Sequence, residues 1–251
     1  MSISIKIKKK VFINKYLKQE VLALKKIDVE VKPKEFLCLV GPSGCGKTTL
    51  MNIIGGLIQA DEQKILINKK EITSENKLGY VFQTSRLLPW LTIYENIKLV
   101  CKEDMLNIDK KISSILKNFD LNDFTHSFPN TISGGMRRKV SLARAFVNNP
   151  EVLLMDEPFV SLDQPTTENL YKVLLDYWIK NPTTIILITH NLKEALLLGD
   201  RILFFSKRPG TIALDYKVKA SRKPLKTDNH FVEEEYNNLN KTYPTLLKGL
   251  I

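Results

Sequence analysis

The chain has 251 residues, 43% hydrophobic and 26% charged, a globular composition that excludes a disordered polymer and provides enough chain for one large domain or two packed subdomains. No apolar run approaches the roughly 18 residues that a membrane-spanning helix needs. The net charge of +11 comes from scattered lysines with one small cluster at Lys6, Lys8, Lys9 and Lys10, which fits a solvated surface, is compatible with an anionic membrane face, and calls for no nucleic-acid partner.

At the amino terminus Ile3, Ile5 and Ile7 alternate with polar residues, a strand pattern and not a signal-peptide core. The cysteines, Cys38, Cys45 and Cys101, are odd in number and lack metal spacing, so a reducing, cytoplasmic setting is expected. Alternation recurs at Ile27, Val29 and Val31. Residues 36–40 are a compact apolar run that ends in Gly41-Pro42-Ser43-Gly44, a turn signal. Residues 48–58 read as a helix with Leu50, Ile53, Ile54 and Leu57 on one side. Residues 64–68 and 78–83 suggest a strand pair.

From residue 88 to about 149 strand signals nearly vanish, and segments 91–101, 110–119 and 134–147 are helix-compatible. After Pro150 the alternation of strand and helix returns. Residues 152–155 and 184–189 read as strands buried in a parallel sheet. Segments 166–178 and 192–198 read as helices, and 201–206 and 212–218 as closing strands. The pattern is an α/β core with a mostly helical block inserted. Residues 220–251, with Pro224, Pro244 and a modest helical pattern over 231–239, read as a peripheral tail.

Three segments carry chemistry. Gly41-Pro42-Ser43-Gly44-Cys45-Gly46-Lys47-Thr48 matches the G-x-x-x-x-G-K-[ST] phosphate loop and lies between a predicted strand and a predicted helix. Its glycines let successive N–H groups face a phosphate, and the following helix offers its positive end to the same anion. Lys47 reaches the β- and γ-phosphates as a point charge, the Thr48 hydroxyl supplies an oxygen for Mg²⁺, and Thr49 adds a donor. A glycine-rich turn with a solvated lysine is the competing reading. Val152-Leu153-Leu154-Met155-Asp156-Glu157 is a buried strand delivering two carboxylates at its C-terminal end, where open α/β sheets bind ligands. Asp156 would hold Mg²⁺ and Glu157 would polarise the attacking water. Thr131-Ile132-Ser133-Gly134-Gly135 opens a helix; it is either a second anion-binding start or a helix simply capped by Ser133.

In this order the three segments resemble the ATP-binding cassette superfamily, over residues from about 12 to 215. Gln83 of Val81-Phe82-Gln83 is similar to the family's Q-loop glutamine, Ser161-Leu162-Asp163 to its D-loop, and His190 of Ile188-Thr189-His190 to its switch histidine. Tyr16 stands at about the spacing of the aromatic that stacks on adenine, with Phe12 and a plain core role as competitors. The resemblance implies an α/β fold: a P-loop NTPase core with mixed sheet, an N-terminal antiparallel β subdomain and an inserted α-helical subdomain. It implies a domain over residues 1–219, with 88–149 as the inserted block and 220–251 as the tail.

It further implies ATP and Mg²⁺ as cofactors and a head-to-tail homodimer. There Ser133, Gly134 and Gly135 act on the partner's γ-phosphate while Gln83 senses Mg²⁺ and water and His190 bonds the γ-phosphate. Asp163 of the D-loop is expected among the nucleotide-binding residues. Phe82-Gln83-Thr84-Ser85-Arg86-Leu87-Leu88-Pro89-Trp90-Leu91-Thr92, Met136 of the signature and Ser206-Lys207-Arg208-Pro209-Gly210 are similar to importer subunits of the nitrate, sulfonate and taurine group. That implies separate permeases, an extracytoplasmic solute-binding protein and a peripheral position on the cytoplasmic face of the membrane. Trp90 either docks a permease helix or packs internally. Lys34, Arg138, Lys139, Ile132 and Asn191 depart from the family's usual residues without removing a catalytic group. A soluble cassette ATPase and a P-loop kinase are the alternatives. The first normally shows a long coiled coil or two cassettes, absent here, and the second leaves the signature, Gln83 and His190 unexplained.

Overall fold

Residues 2–14, 19–68, 70–71, 78–101, 107–219 and 229–247 are described in a computed structural model. They fall into two compact units, Met1–Asn76 with Thr184–Ile251, and Lys77–Thr183. In chain order the first strands are β1 (Ile3–Asn14), β2 (Gln19–Val31) and β3 (Phe36–Val40), then helix α1 (Lys47–Ile54), β4 (Glu62–Ile67), β5 (Lys70–Glu71) and β6 (Leu78–Val81). Helices α2 (Ile93–Lys98), α3 (Ile108–Asn118) and α4 (Gly134–Phe146) precede β7 (Val152–Asp156) and α5 (Gln164–Lys180). The chain continues through β8 (Thr184–Ile188), α6 (Leu192–Leu198), β9 (Arg201–Phe205), β10 (Ile212–Lys217), α7 (Asn229–Thr242) and α8 (Pro244–Leu247).

The first unit holds an antiparallel sheet of order β2-β1-β4-β5. Ile3, Ile5 and Ile7 face Val31, Val29 and Ile27 across one ladder and Ile67, Ile65 and Gln63 across the other. All three isoleucines are buried, because a strand turns alternate side chains to the same face. Each such burial contributes roughly 1.5–3 kcal/mol. The same unit holds strands in the order β10-β9-β3-β8. β3 runs parallel to β8 and β9, and β10 runs antiparallel to β9, so this sheet is mixed. Every residue of β3 and β8 is buried, as continuous apolar runs require when both faces are covered.

Two sequence expectations need correction in this unit. The helix after the phosphate loop stops at Ile54, not Ile58. Gly56 takes φ +70°, the left-handed conformation that glycine adopts without a Cβ penalty, and the Leu57 amide bonds back to the Asn52 carbonyl at 2.8 Å. Leu57 is therefore 57% exposed instead of on the buried face. The second correction concerns residues 64–68 and 78–83, which are strand-forming but have other partners. β4 pairs with β1 and β5, whereas β6 pairs in parallel with β7. Asn68, at φ +51°, turns the chain into β5, which bonds straight back onto β4. In the carboxyl-terminal segment α7 packs on α6, with Val232 and Leu239 buried seven residues apart on one face and the Tyr216 hydroxyl donating to the buried Glu235.

In the second unit β6 and β7 lie parallel, and α4 packs on β6, α2, α3 and α5. Residues 82–151 carry no strand among those described. α2 is opened by Thr92 and Glu95 in a reciprocal capping box. The rings of Phe119, Phe146 and Tyr177 meet at centroid distances of 4.8–6.2 Å and join α4, α5 and the end of α3.

Candidate functional site

In the first unit β3 delivers the chain to residues 41–46 at its C-terminal end, and α1 begins at Lys47. Gly46 is at φ +110°, and a Cβ there would stand 2.7 Å from Leu24 Cδ2 and 2.9 Å from the Ala23 carbonyl oxygen. Glycine is the residue that meets both demands. The first hydrogen bond of α1 runs from the Leu50 amide to the Gly46 carbonyl at 2.9 Å. The amides of Gly46, Lys47, Thr48 and Thr49 therefore have no partner within the helix, and the N-cap residue, Gly46, has no side chain to cap them. Lys47 is only 5% exposed, and its ammonium donates to the carbonyls of Gly41 at 2.8 Å and Pro42 at 2.9 Å, with Cys45 Sγ at 3.6 Å. Ser43, Gly44 and Thr48 are exposed, and Thr49 is half-buried. A cation held by neutral carbonyls and a thiol at the start of a helix is an anion-binding arrangement.

His190 stands at the same end of the same sheet. Ile188 pairs with Leu39 of β3, and the Thr189 amide donates to the Leu39 carbonyl at 3.2 Å. His190 is exposed next to the buried Thr189. Asn191, where the family commonly has aspartate, caps α6 by accepting from the amides of Lys193 and Glu194. Tyr16 lies outside the described residues. Phe12, its competitor, is 42% exposed on β1.

In the second unit the parallel strands β6 and β7 bring Gln83, Asp156 and Glu157 to one end. Gln83 Nε2 donates to Glu157 Oε2 at 3.3 Å. Asp156 is buried at the strand terminus. Glu157 follows at φ +44°, a left-handed position that costs a non-glycine residue free energy. Burial, and next the Asp156 carboxylate, push the Tyr80 hydroxyl well above the usual tyrosine range.

The glycine-rich start of α4 is placed against the start of α5 in this unit. Ser133 Oγ accepts from the Met136 amide at 3.2 Å, and Asp163 Oδ1 accepts from the Thr166 amide at 3.0 Å. Those bonds from Thr166 hold the Asp163 carboxyl below the usual carboxylate range. A Cβ on Gly135 would stand 2.4 Å from Thr166 Cγ2, so glycine permits the two helix starts to approach. Ser133 and Gly134 remain exposed beside this contact.

The sequence reading missed two arginines of α4. Arg138, 6% exposed, donates to the carbonyls of Phe82 at 2.9 Å and Gln83 at 2.6 Å. Arg144 donates to those of Ser85 and Arg86, each at 2.9 Å. Burial lowers both guanidinium groups from the ordinary arginine range. The Arg86 guanidinium lies 3.7 Å from the centroid of Phe82, whose ring stacks on Tyr80 at 4.1 Å. Helical spacing offered a signal: Arg138 lies three, four and seven residues before Ser141, Leu142 and Ala145, all buried. A charge on that stripe needs partners, and the loop carbonyls provide them. Further along the loop, buried Asn96 bonds the amide of Leu88 and the carbonyls of Leu88, Leu91 and Thr92. Trp90 is left 69% exposed, which decides against internal packing.

The ABC transporter family model matches residues 24–160. The chain is 39% identical over 213 residues to the aliphatic sulfonates import ATP-binding protein SsuB of Bacillus subtilis (strain 168), covering 84% of this chain and 83% of that protein. It is 40% identical over 204 residues to the taurine import ATP-binding protein TauB of Pelagibacter ubique (strain HTCC1062), covering 80% and 77%. Among solved structures it resembles the dimeric post-hydrolysis state of the ATP-binding cassette MJ0796 bound to ADP and Pi, with a TM-score of 0.75 and 29% identity, covering 87% of this chain and all of that one.

Proposed function

Given that the chain belongs to the ABC transporter family, and so is an ATP-binding, ATP-hydrolysing subunit, we propose that it energises an importer for a small solute of the sulfonate and taurine kind. Nitrate and pyrimidine precursors are neighbouring solute classes. The observation that carries the reading is the stretch from Gln83 to Trp90. One end touches the Glu157 carboxylate and the other presents an exposed tryptophan on a loop braced by Asn96. Such a stretch can link the hydrolytic carboxylate to a second protein, and exposed aromatics are the residues that anchor protein interfaces. The likeness to two import ATP-binding proteins supports a permease as that protein.

The proposed chemistry uses each residue in a defined role. Lys47 neutralises charge on the β- and γ-phosphates while the amides of the loop and of Thr48 and Thr49 hold their oxygens. Tyr16 stacks on the adenine. Glu157 accepts a proton from the water that attacks the γ-phosphorus, the bond to the β,γ-bridging oxygen breaks, and ADP departs with that electron pair. His190 bonds the γ-phosphate and Gln83 orients the water. Among the described residues no three His, Cys, Asp or Glu side chains cluster as a protein-only metal cage. The hydroxyl of Thr48, the amide oxygen of Gln83 and the carboxylate of Asp156 are the hard oxygen donors that Mg²⁺ accepts when phosphates complete its shell. Mg²⁺, when bound, neutralises charge developing on the phosphate oxygens.

Ser133, Gly134 and Gly135 act on the ATP of a second copy, with Asp163 beside them at that interface, and an extracytoplasmic binding protein feeds the permease. We assign residues 1–219 to the ATPase domain, with 88–149 inserted, and 220–251 to a tail containing α7. The working position is the cytoplasmic face of the membrane, reached through the permease. Co-expression with a permease encoded beside this chain tests the reading. It predicts a stable complex whose ATPase rises with a binding protein loaded with taurine or an alkanesulfonate. Failure to bind any such permease would contradict the importer assignment.

A further inference from the structure

The turn after β9, Ser206-Lys207-Arg208-Pro209-Gly210, takes no part in the chemistry above, yet it lies against the phosphate loop. It is pinned at Gly210, whose amide donates to the Ala23 carbonyl at 2.9 Å and whose carbonyl accepts from the Lys25 amide at 3.0 Å. Ser206 closes the turn, its Oγ accepting from the Thr211 amide at 3.1 Å. Contact with the loop is close at both ends. A Cβ on Gly210 would stand 2.1 Å from the Cys45 carbonyl oxygen, and one on Gly41 would stand 2.8 Å from Phe205 Cβ. Between them the Arg208 guanidinium donates twice to the Gly44 carbonyl oxygen, from Nε at 3.0 Å and from Nη2 at 2.7 Å.

We propose that Arg208 is a positioning residue for the phosphate loop, holding the Gly44–Cys45 peptide so that the Cys45 amide is set for a phosphate oxygen of ATP. The physical link is the planarity of the peptide. Its C=O and the following N–H point in opposite directions, so fixing the Gly44 oxygen fixes the direction of the Cys45 N–H. Gly44 sits at φ +72° and has no Cβ, so its own backbone preferences restrain that plane weakly. Two charge-assisted bonds from an anchored arginine supply the restraint. Among the described residues the Cys45 amide makes a long bond, 3.4 Å to the Pro42 carbonyl, which a phosphate oxygen can replace.

The proposal rests on the loop being the ATP site, and the test separates the two claims. Steady-state hydrolysis of Mg-ATP by the full chain is compared for wild type, Arg208→Ala and Arg208→Lys, and Mg-ATP binding by titration calorimetry for these and Lys47→Ala, with melting temperatures taken without nucleotide. Arg208→Ala is expected to raise KM for ATP about tenfold while kcat falls no more than about threefold, the size of effect expected for losing charge-assisted bonds that act on binding. Arg208→Lys, which keeps the charge and one donor, is expected to hold KM within about threefold of wild type. An Arg208→Ala KM within about twofold of wild type overturns the proposal, as does a lysine variant no better than alanine. If alanine prevents folding, Arg208→Gln is judged by the alanine thresholds. If Lys47→Ala loses ATP affinity and Arg208→Ala does not, the positioning role alone fails. If neither loses it, the reading of the loop fails.

Discussion

The phosphate loop and the corner at the end of β7 present polar groups with different materials. Residues 41–49 are contiguous, and apart from Lys47 and Thr48 the loop offers backbone amides shaped by glycines. The corner is assembled from Gln83, Asp156 and Glu157, with Arg138 and Arg144 reaching in from α4 to fix the glutamine loop. A backbone site tolerates side-chain exchange at most of its positions but no change of backbone shape. A side-chain corner keeps its backbone under substitution but loses function group by group. Binding should therefore be concentrated in the loop, and chemistry and coupling in the corner.

Lys47→Ala is the sharpest attempt to break this contrast. It removes the loop's cation, and hydrolysis should be abolished, with kcat/KM down by at least about a thousandfold, a loss of several charge-assisted bonds. Normal turnover would remove the loop from the mechanism. Arg138→Ala comes next. It removes the charge-assisted bonds that the carbonyls of Phe82 and Gln83 accept, so a loss of about 2–3 kcal/mol and a drop of roughly 5–10 °C in melting temperature are expected. With the loop slack, kcat should fall about tenfold while KM for ATP stays within about twofold. Scanning calorimetry and initial rates check both, and a change confined to KM would erase the distinction between the regions.

Gly135→Ala tests a place where the second unit depends on backbone approach. The new methyl collides with Thr166 Cγ2, and overpacking of this kind costs about 1–3 kcal/mol. Thr166→Ser in the same chain removes the colliding methyl and should restore most of the melting temperature; no recovery would mean that the clash is not the cause. The smallest effect on the chain itself is expected from Trp90→Ala. At an exposed position stability should change by less than about 0.5 kcal/mol, whereas affinity for a permease should fall by about 2 kcal/mol or more. A large loss in thermal stability would show that Trp90 supports the fold.

The two regions also differed in how much of them could be read beforehand. The loop was legible because its strand, glycines, lysine and helix are consecutive, and every part carries a local signal. The carboxylates of β7 were legible for the same reason, as the terminus of an apolar run. The contact between Gln83 and Glu157 has no signal in spacing, since 74 positions separate them. Arg138 was treated as a bland departure although its helical stripe is buried. The apolar period continues through Leu57 and suggests a longer α1, while Gly55 and Gly56 decide where the helix ends. β4 and β6 are neighbours in sequence, which suggests mutual pairing, and nothing local reveals the parallel match of β6 with β7. The stretch around Arg208 stands out by resemblance, but nothing local points to its partner Gly44, which lies 164 residues away.

The central claim is that the phosphate loop of one copy works with Ser133, Gly134 and Gly135 of another. Light scattering of Glu157→Gln with Mg-ATP tests it most directly. Replacing the proton acceptor with an amide should slow hydrolysis by about a hundredfold or more and leave ATP trapped. The account predicts twice the monomer mass with Mg-ATP and the monomer mass with Mg-ADP. A Glu157→Gln chain that binds Mg-ATP and stays monomeric, or that hydrolyses it at the wild-type rate, would contradict it.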